Sequence, residues 1–143
     1  MNQTPFRAVV DASTGIKLFL DEPFSEQANT LFAKLAEDPP AELYVPDLFY
    51  IECANILWKY VRRYGRTLVD SQADLSNLKK IALISISATD LVEEALNLAD
   101  KNNISVYDAC YAALARHLNI SVITADRRLA QAIDWAVWLG DFE

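Results

Sequence analysis

Three features of the 143-residue sequence predict an α/β fold. Short apolar runs alternate with longer helical segments, the pattern of a parallel sheet covered on both faces by its crossover helices. The run in "RAVVDAST" is apolar on consecutive residues, Ala8 to Val10, so neither face of that strand is meant for water. It stops on a carboxylate, Asp11, and the run in "ISVITAD" stops in the same way on Asp126. Ligands of such sheets gather at the carboxyl ends of the strands, so the two acids are expected to face one cleft.

Taken in order, strands are predicted at residues 7–11, 43–45, 83–86 and 120–124, with a weaker one at 136–139. Ser13 and Thr14 are candidate caps for a helix over 14–20. Pro23 opens another that reaches about Glu37, with Leu31, Phe32 and Leu35 facing inward, before Pro39 and Pro40 stop it. After "LYVP" a long helix runs from Asp47 to Tyr64 and ends at Gly65. Ser87 and Asp90 fit a capping box ahead of the stripe Leu91, Ala95, Leu98 and Ala99, and a last long helix covers "VYDACYAALARHLN". The remaining segments read as generally helical.

The length fits one domain over residues 1–143, and 52% hydrophobic residues fill a core. No repeat, linker or low-complexity tract interrupts it. No window approaches the roughly 18 apolar residues of a membrane span, and the N-terminus lacks the apolar core of a signal peptide. Cys53 and Cys110 have neither disulfide-framework nor zinc-site spacing, which points to a reducing cytoplasm. The net charge of -7, from 20 acidic and 13 basic residues, disfavours nucleic acid unless charge is uneven or offset by bound cations.

Two further acids stand in apolar settings: Glu52 in "YIECANIL" and Asp108 in "VYDACYAAL". Four converging carboxylates would repel one another and resist burial, and a hard divalent cation, Mg²⁺ or Mn²⁺, resolves both problems while turning an acidic cleft into a receptor for phosphodiester oxygen. Each acid has a plainer reading. Asp11 and Asp126 suit the caps of the helices that follow them, Asp108 suits a helix start, and Glu52 a solvated helix face.

In order and spacing, "VVDAS", "IECANIL", "YDACYAAL" and "VITADRRL" resemble the PIN-domain family, and within it the VapC-like toxins of toxin–antitoxin pairs. The resemblance implies a three-layer fold with a short, mostly parallel sheet between helices. It also implies a Mg²⁺- or Mn²⁺-dependent endoribonuclease whose acids are Asp11, Glu52, Asp108 and Asp126. Asp11, Asp108 and Asp126 would hold the metal and Glu52 would bind through water or orient the nucleophile. Thr124 matches a hydroxyl position beside the metal, and Ser13 is placed likewise. RNA as substrate, a cognate antitoxin and a homodimer follow as partners, with no membrane association; the alternative within the same resemblance is a PIN-type RNA-processing nuclease without an antitoxin.

Phosphate contacts are sought among Arg127 and Arg128 beside Asp126, in Lys17, and in "KYVRRYGR", where Arg62 and Arg63 stand with Lys59 and Arg66. The helix carrying Phe49, Tyr50, Leu57, Trp58 and Tyr60 is apolar on more than one side, so part of it is expected against another chain. His117 reads as a complement to its helix dipole, and both cysteines as core fillers. A receiver-type phosphoacceptor would need adjacent acids after the first strand, whereas Ala12 and Ser13 follow Asp11; a dehalogenase-type phosphatase would need an acid where Ser13 stands. A non-catalytic binding module would bear four acids in apolar settings at a cost.

Overall fold

The computed structural model describes residues 3–143. Five strands form one parallel sheet: β1 (Arg7–Val10), β2 (Glu42–Pro46), β3 (Ile84–Ile86), β4 (Ser121–Thr124) and β5 (Ala136–Trp138), in the order β3-β2-β1-β4-β5. The first strand is therefore the middle one. Its register, Val9 against Tyr44 on one side and Val122 on the other, carries the chain in parallel through every pairing. Ala8, Val9 and Val10 are all buried, as a strand covered on both faces requires. The weakly patterned fifth segment is a genuine strand, held at one edge beside β4, and β3 forms the other edge with Ile84 exposed.

Among the described residues seven helices flank the sheet: α1 (Ala12–Gly15), α2 (Ser25–Ala33), α3 (Leu48–Arg63), α4 (Leu68–Leu78), α5 (Val92–Asn102), α6 (Val106–Leu118) and α7 (Arg127–Ala132). α6 is buried from Ala109 to Ala115. Four alanines in that run let the helix approach β1, β2 and β4 closely. Asn103 and Asn119 end α5 and α6 in the left-handed conformation, which asparagine tolerates better than most residues.

Several boundaries differ from expectation for local reasons. The Asp11 carboxylate, not Ser13 or Thr14, caps the first helix by accepting from Thr14 N, so α1 starts at Ala12 and tightens into a 3₁₀ turn over Ile16–Leu18. Phe24 adopts a φ of 71°, which delays α2 to Ser25. Ser87 makes no capping bond; the Asp47 carboxylate accepts from Ala88 N at 3.0 Å, and a 3₁₀ turn over Ala88–Leu91 precedes α5. α3 ends one residue before its expected limit, and Gly65 takes a φ of 72° to turn the chain toward α4. Thr67 caps α4 by accepting from Asp70 N.

Candidate functional site

A cleft of about 530 Å³ opens at the carboxyl edge of the sheet, and Asp11, Glu52, Asp108 and Asp126 all line it. The strand order accounts for two of them. Because β4 lies beside β1, the chain leaves both strands in the same direction, and Asp11 N still donates to Ile123 O beyond the last paired residues. Asp11 and Asp126 then cap α1 and α7, so the structural and the site readings of these acids hold together. The other two come from helices: Glu52 from the middle of α3 and Asp108 from the first turn of α6, where Ser105 is the cap and accepts from Asp108 N.

Asp11 is the deepest, 4% exposed. Its Oδ1 accepts from Ser13 Oγ at 2.7 Å and from Thr14 N at 3.0 Å, and its Oδ2 accepts from Thr124 Oγ1 at 2.5 Å. Burial pushes its pKa from 3.8 up to about 6, against the pull of these donors, with Thr124 the strongest of them. Thr124 is fully buried, and its hydroxyl also accepts from Asp126 N at 3.0 Å. Ser13 Oγ accepts from Ala125 N at 3.0 Å. The two hydroxyls tie the β1 and β4 ends into one network.

Burial also raises Glu52, assisted by repulsion from Asp108 and Asp11, while the Tyr111 hydroxyl, donating to Oε1 at 2.6 Å, opposes the rise. Asp108 is raised by burial and then by Asp126, with Ser105 and Arg128 acting against it. The acids therefore sense one another in a continuous series. Burial, then Asp11 and Glu52, push the Cys53 thiol far up, so it stays protonated as a core filler.

The oxygens of this cleft, with no histidine or cysteine in its lining, form a hard donor set of the kind that suits Mg²⁺ or Mn²⁺. Among the described residues no three His, Cys, Asp or Glu side chains are already drawn into a closed cage. An ion that keeps several waters fits this arrangement better than one that requires full protein coordination.

The cations are distributed differently from the sequence expectation. Lys17 is not in the cleft lining; it pairs with Glu22 at 3.1 Å, and Tyr60 donates to the same carboxylate. Arg127 lays its guanidinium 4.0 Å from the Trp138 ring and lines a separate hollow with Gln131 and Asp141. Arg62 stacks over Trp58 at 5.6 Å, Arg63 is exposed, and neither lines the cleft. Arg128 lines a smaller groove, of about 260 Å³, that shares Asp108 and Asp126 with the cleft.

Of the basic run in "KYVRRYGR", Lys59 alone lines the cleft, together with Asn55 and Tyr111, which the sequence did not mark as site residues. Helical spacing was the available signal. Asn55 and Lys59 stand three and seven residues after Glu52, and Tyr111 three after Asp108, so each shares its acid's helix face.

Comparison with known proteins bears on the family and the fold. The family model for the PIN domain matches residues 8–134. The chain is 38% identical over 128 residues to Ribonuclease VapC3 of Pyrobaculum aerophilum, covering 87% of this chain and 93% of that protein. A crystal structure from Pyrobaculum aerophilum superposes with a TM-score of 0.70 at 25% identity, covering 94% and 90% of the two chains. A toxin–antitoxin complex from Klebsiella pneumoniae contains a chain of the same fold, with a TM-score of 0.63 at 22% identity over 91% of this chain and 95% of that one. With the α/β architecture, the acid-lined edge and a family match over most of its length, this chain belongs to the PIN-domain family.

Proposed function

We propose that this protein is an endoribonuclease that hydrolyses RNA phosphodiester bonds with Mg²⁺ or Mn²⁺ and serves as the toxin of a toxin–antitoxin pair. The observation that carries this reading is the convergence of Asp11, Glu52, Asp108 and Asp126 on one cleft. Family membership and the ribonuclease among its relatives support the choice of RNA.

Asp11 and Asp108, with Asp126, would hold the metal, which supplies a water of lowered pKa and neutralises charge at the phosphate. The protein's own groups do the rest. Thr124, Ser13 and Thr14 N keep the buried Asp11 aimed and favour its charged form. Glu52, half-buried opposite Asp11, orients the attacking water and accepts its proton as oxygen joins phosphorus and the bond to the leaving ribose oxygen breaks. The leaving oxygen takes up a proton from solvent, and Glu52 returns its own to solvent. Lys59 inside the cleft and Arg128 in the adjoining groove contact flanking phosphates.

A partner fits the apolar surface that begins at the rim of the site. Ile51, 75% exposed on α3, lines the cleft itself. Farther along, Trp58 is 56% exposed on α3, and Leu68 and Val69 are exposed on α4. Apolar area of this kind is covered in a homodimer and by an antitoxin segment. No helix among the described residues is long and apolar enough to cross a membrane, and we assign the activity to the cytoplasm, with residues 1–143 acting as one domain.

The deciding experiment incubates purified protein with single-stranded and structured RNA in Mg²⁺, Mn²⁺ or EDTA, beside Asp11→Asn and Asp108→Asn. Metal-dependent cutting abolished in both variants is the expected result; cutting that survives either one removes the assignment. Growth arrest on expression, relieved by a small protein encoded beside it, tests the toxin role.

A further inference from the structure

We propose that Tyr111 is a positioning residue of this cleft, fixing which oxygen of Glu52 faces the substrate; the inference rests on the nuclease reading above. The Tyr111 side chain is 1% exposed, and its hydroxyl reaches Glu52 Oε1 at 2.6 Å, the one hydrogen bond that hydroxyl makes among the described residues. Packing alone does not account for a tyrosine here. A phenylalanine would fill the same space without burying a hydroxyl, which is unfavourable unless the group is used.

The geometry defines that use. Tyr111 and Asp108 are three residues apart on α6 and share one face, while Glu52 comes from α3, so the bond spans the cleft between two helices. A phenol has a single proton to give. Directed at Oε1, it leaves Oε2 as the carboxylate atom available to the cleft, and it prevents the carboxylate from turning over. Burial and the charge of Glu52 hold the phenol protonated, so the donor persists through any working pH. Without it Glu52 is half-buried, beside Asp11 and Asp108, and free to rotate.

Two measurements test the assignment. Single-turnover cleavage of a single-stranded RNA oligomer in Mg²⁺ is compared for wild type, Tyr111→Phe, Glu52→Ala and the double variant. Removing a partner that orients a functional side chain costs about 10- to 100-fold. That loss is expected in the cleavage rate constant at saturating enzyme for Tyr111→Phe, with the enzyme concentration at half-maximal rate within about twofold, and it should vanish in the Glu52→Ala background. Equal losses in both backgrounds overturn the inference. The second measurement needs no RNA: in metal-free protein, Tyr111→Phe should shift and broaden the Glu52 carboxyl ¹³C resonance while the fold, followed by circular dichroism, is retained. An unchanged Glu52 resonance overturns the inference even in a protein that cuts RNA. A wild-type protein that cuts no RNA overturns the nuclease reading itself, and with it the positioning role of Tyr111 in cleavage, whatever the resonance does.

Discussion

Thr124 Oγ1 lies 2.5 Å from Asp11 Oδ2, and the same oxygen accepts from Asp126 N at 3.0 Å. One buried hydroxyl thus joins two acids 115 positions apart in sequence, donating to the side chain of one and fixing the backbone of the other. Four consequences of this and the neighbouring contacts are open to measurement.

Thr124→Val keeps the volume and removes both bonds. Leaving Asp126 N unpaired and Asp11 short of its strongest donor should lower stability by about 1–3 kcal/mol in urea titrations at neutral pH, with Thr124→Ser losing less than half as much. Equal stability of the valine variant and wild type would show that neither bond matters to the fold.

Asp11 gives metal-free protein a defined pH response. Its folded pKa, about 6, lies above its ordinary 3.8, so the folded state binds the proton more tightly than the unfolded one. The stability this group contributes is complete below pH 3.8 and is lost as pH rises through about 6, an upper bound of about 3 kcal/mol. In EDTA, Asp11→Asn should therefore gain on wild type between pH 4.5 and 7.5. Added Mg²⁺ should restore wild type chiefly above pH 6. Parallel stability curves would show that another group governs this range.

Lys59 is the one cation lining the acidic cleft among the described residues. Lys59→Gln should raise KM for RNA several-fold, leave kcat near wild type, and flatten the slope of log affinity against log salt by about 0.7 to 1. Arg63→Gln, outside the cleft, is the comparison. An unchanged salt slope in Lys59→Gln would place the phosphates elsewhere.

Gly15 sets how closely α1 meets α3. A Cβ there would fall 2.6 Å from Cζ of the buried Phe49, three residues before Glu52 on the same helix. Gly15→Ala should cost about 1–3 kcal/mol and slow cleavage by spreading Asp11 from Glu52. Adding Phe49→Leu should recover part of the thermal midpoint; no recovery would locate the strain elsewhere.

Much of this was legible in the sequence, residue by residue. Apolar runs ending on Asp11 and Asp126 identify parallel strands and the edge where they stop, and Glu52 and Asp108 stand out because their neighbours are apolar. Tyr111 and Asn55 did not stand out, and Lys59 was not separated from Arg62, Arg63 and Arg66, because which part of a helix face borders a cleft depends on how α3 and α6 sit against each other. Lys17 and Arg127 looked available because their partners, Glu22 and Trp138, are chosen by tertiary structure. The same is true of Ala88, capped by an aspartate 41 residues earlier rather than by the adjacent Ser87.

The central placement of β1 between β2 and β4 bears on how such a protein is made. On the proposed function, a nascent chain that has extruded its first hundred residues carries Asp11 and Glu52 but neither β4 nor Asp126. Its chemistry stays unassembled until β4 and Asp126 have left the ribosome as well. A translation machine surrounded by RNA is thereby spared an active nuclease on its own unfinished product.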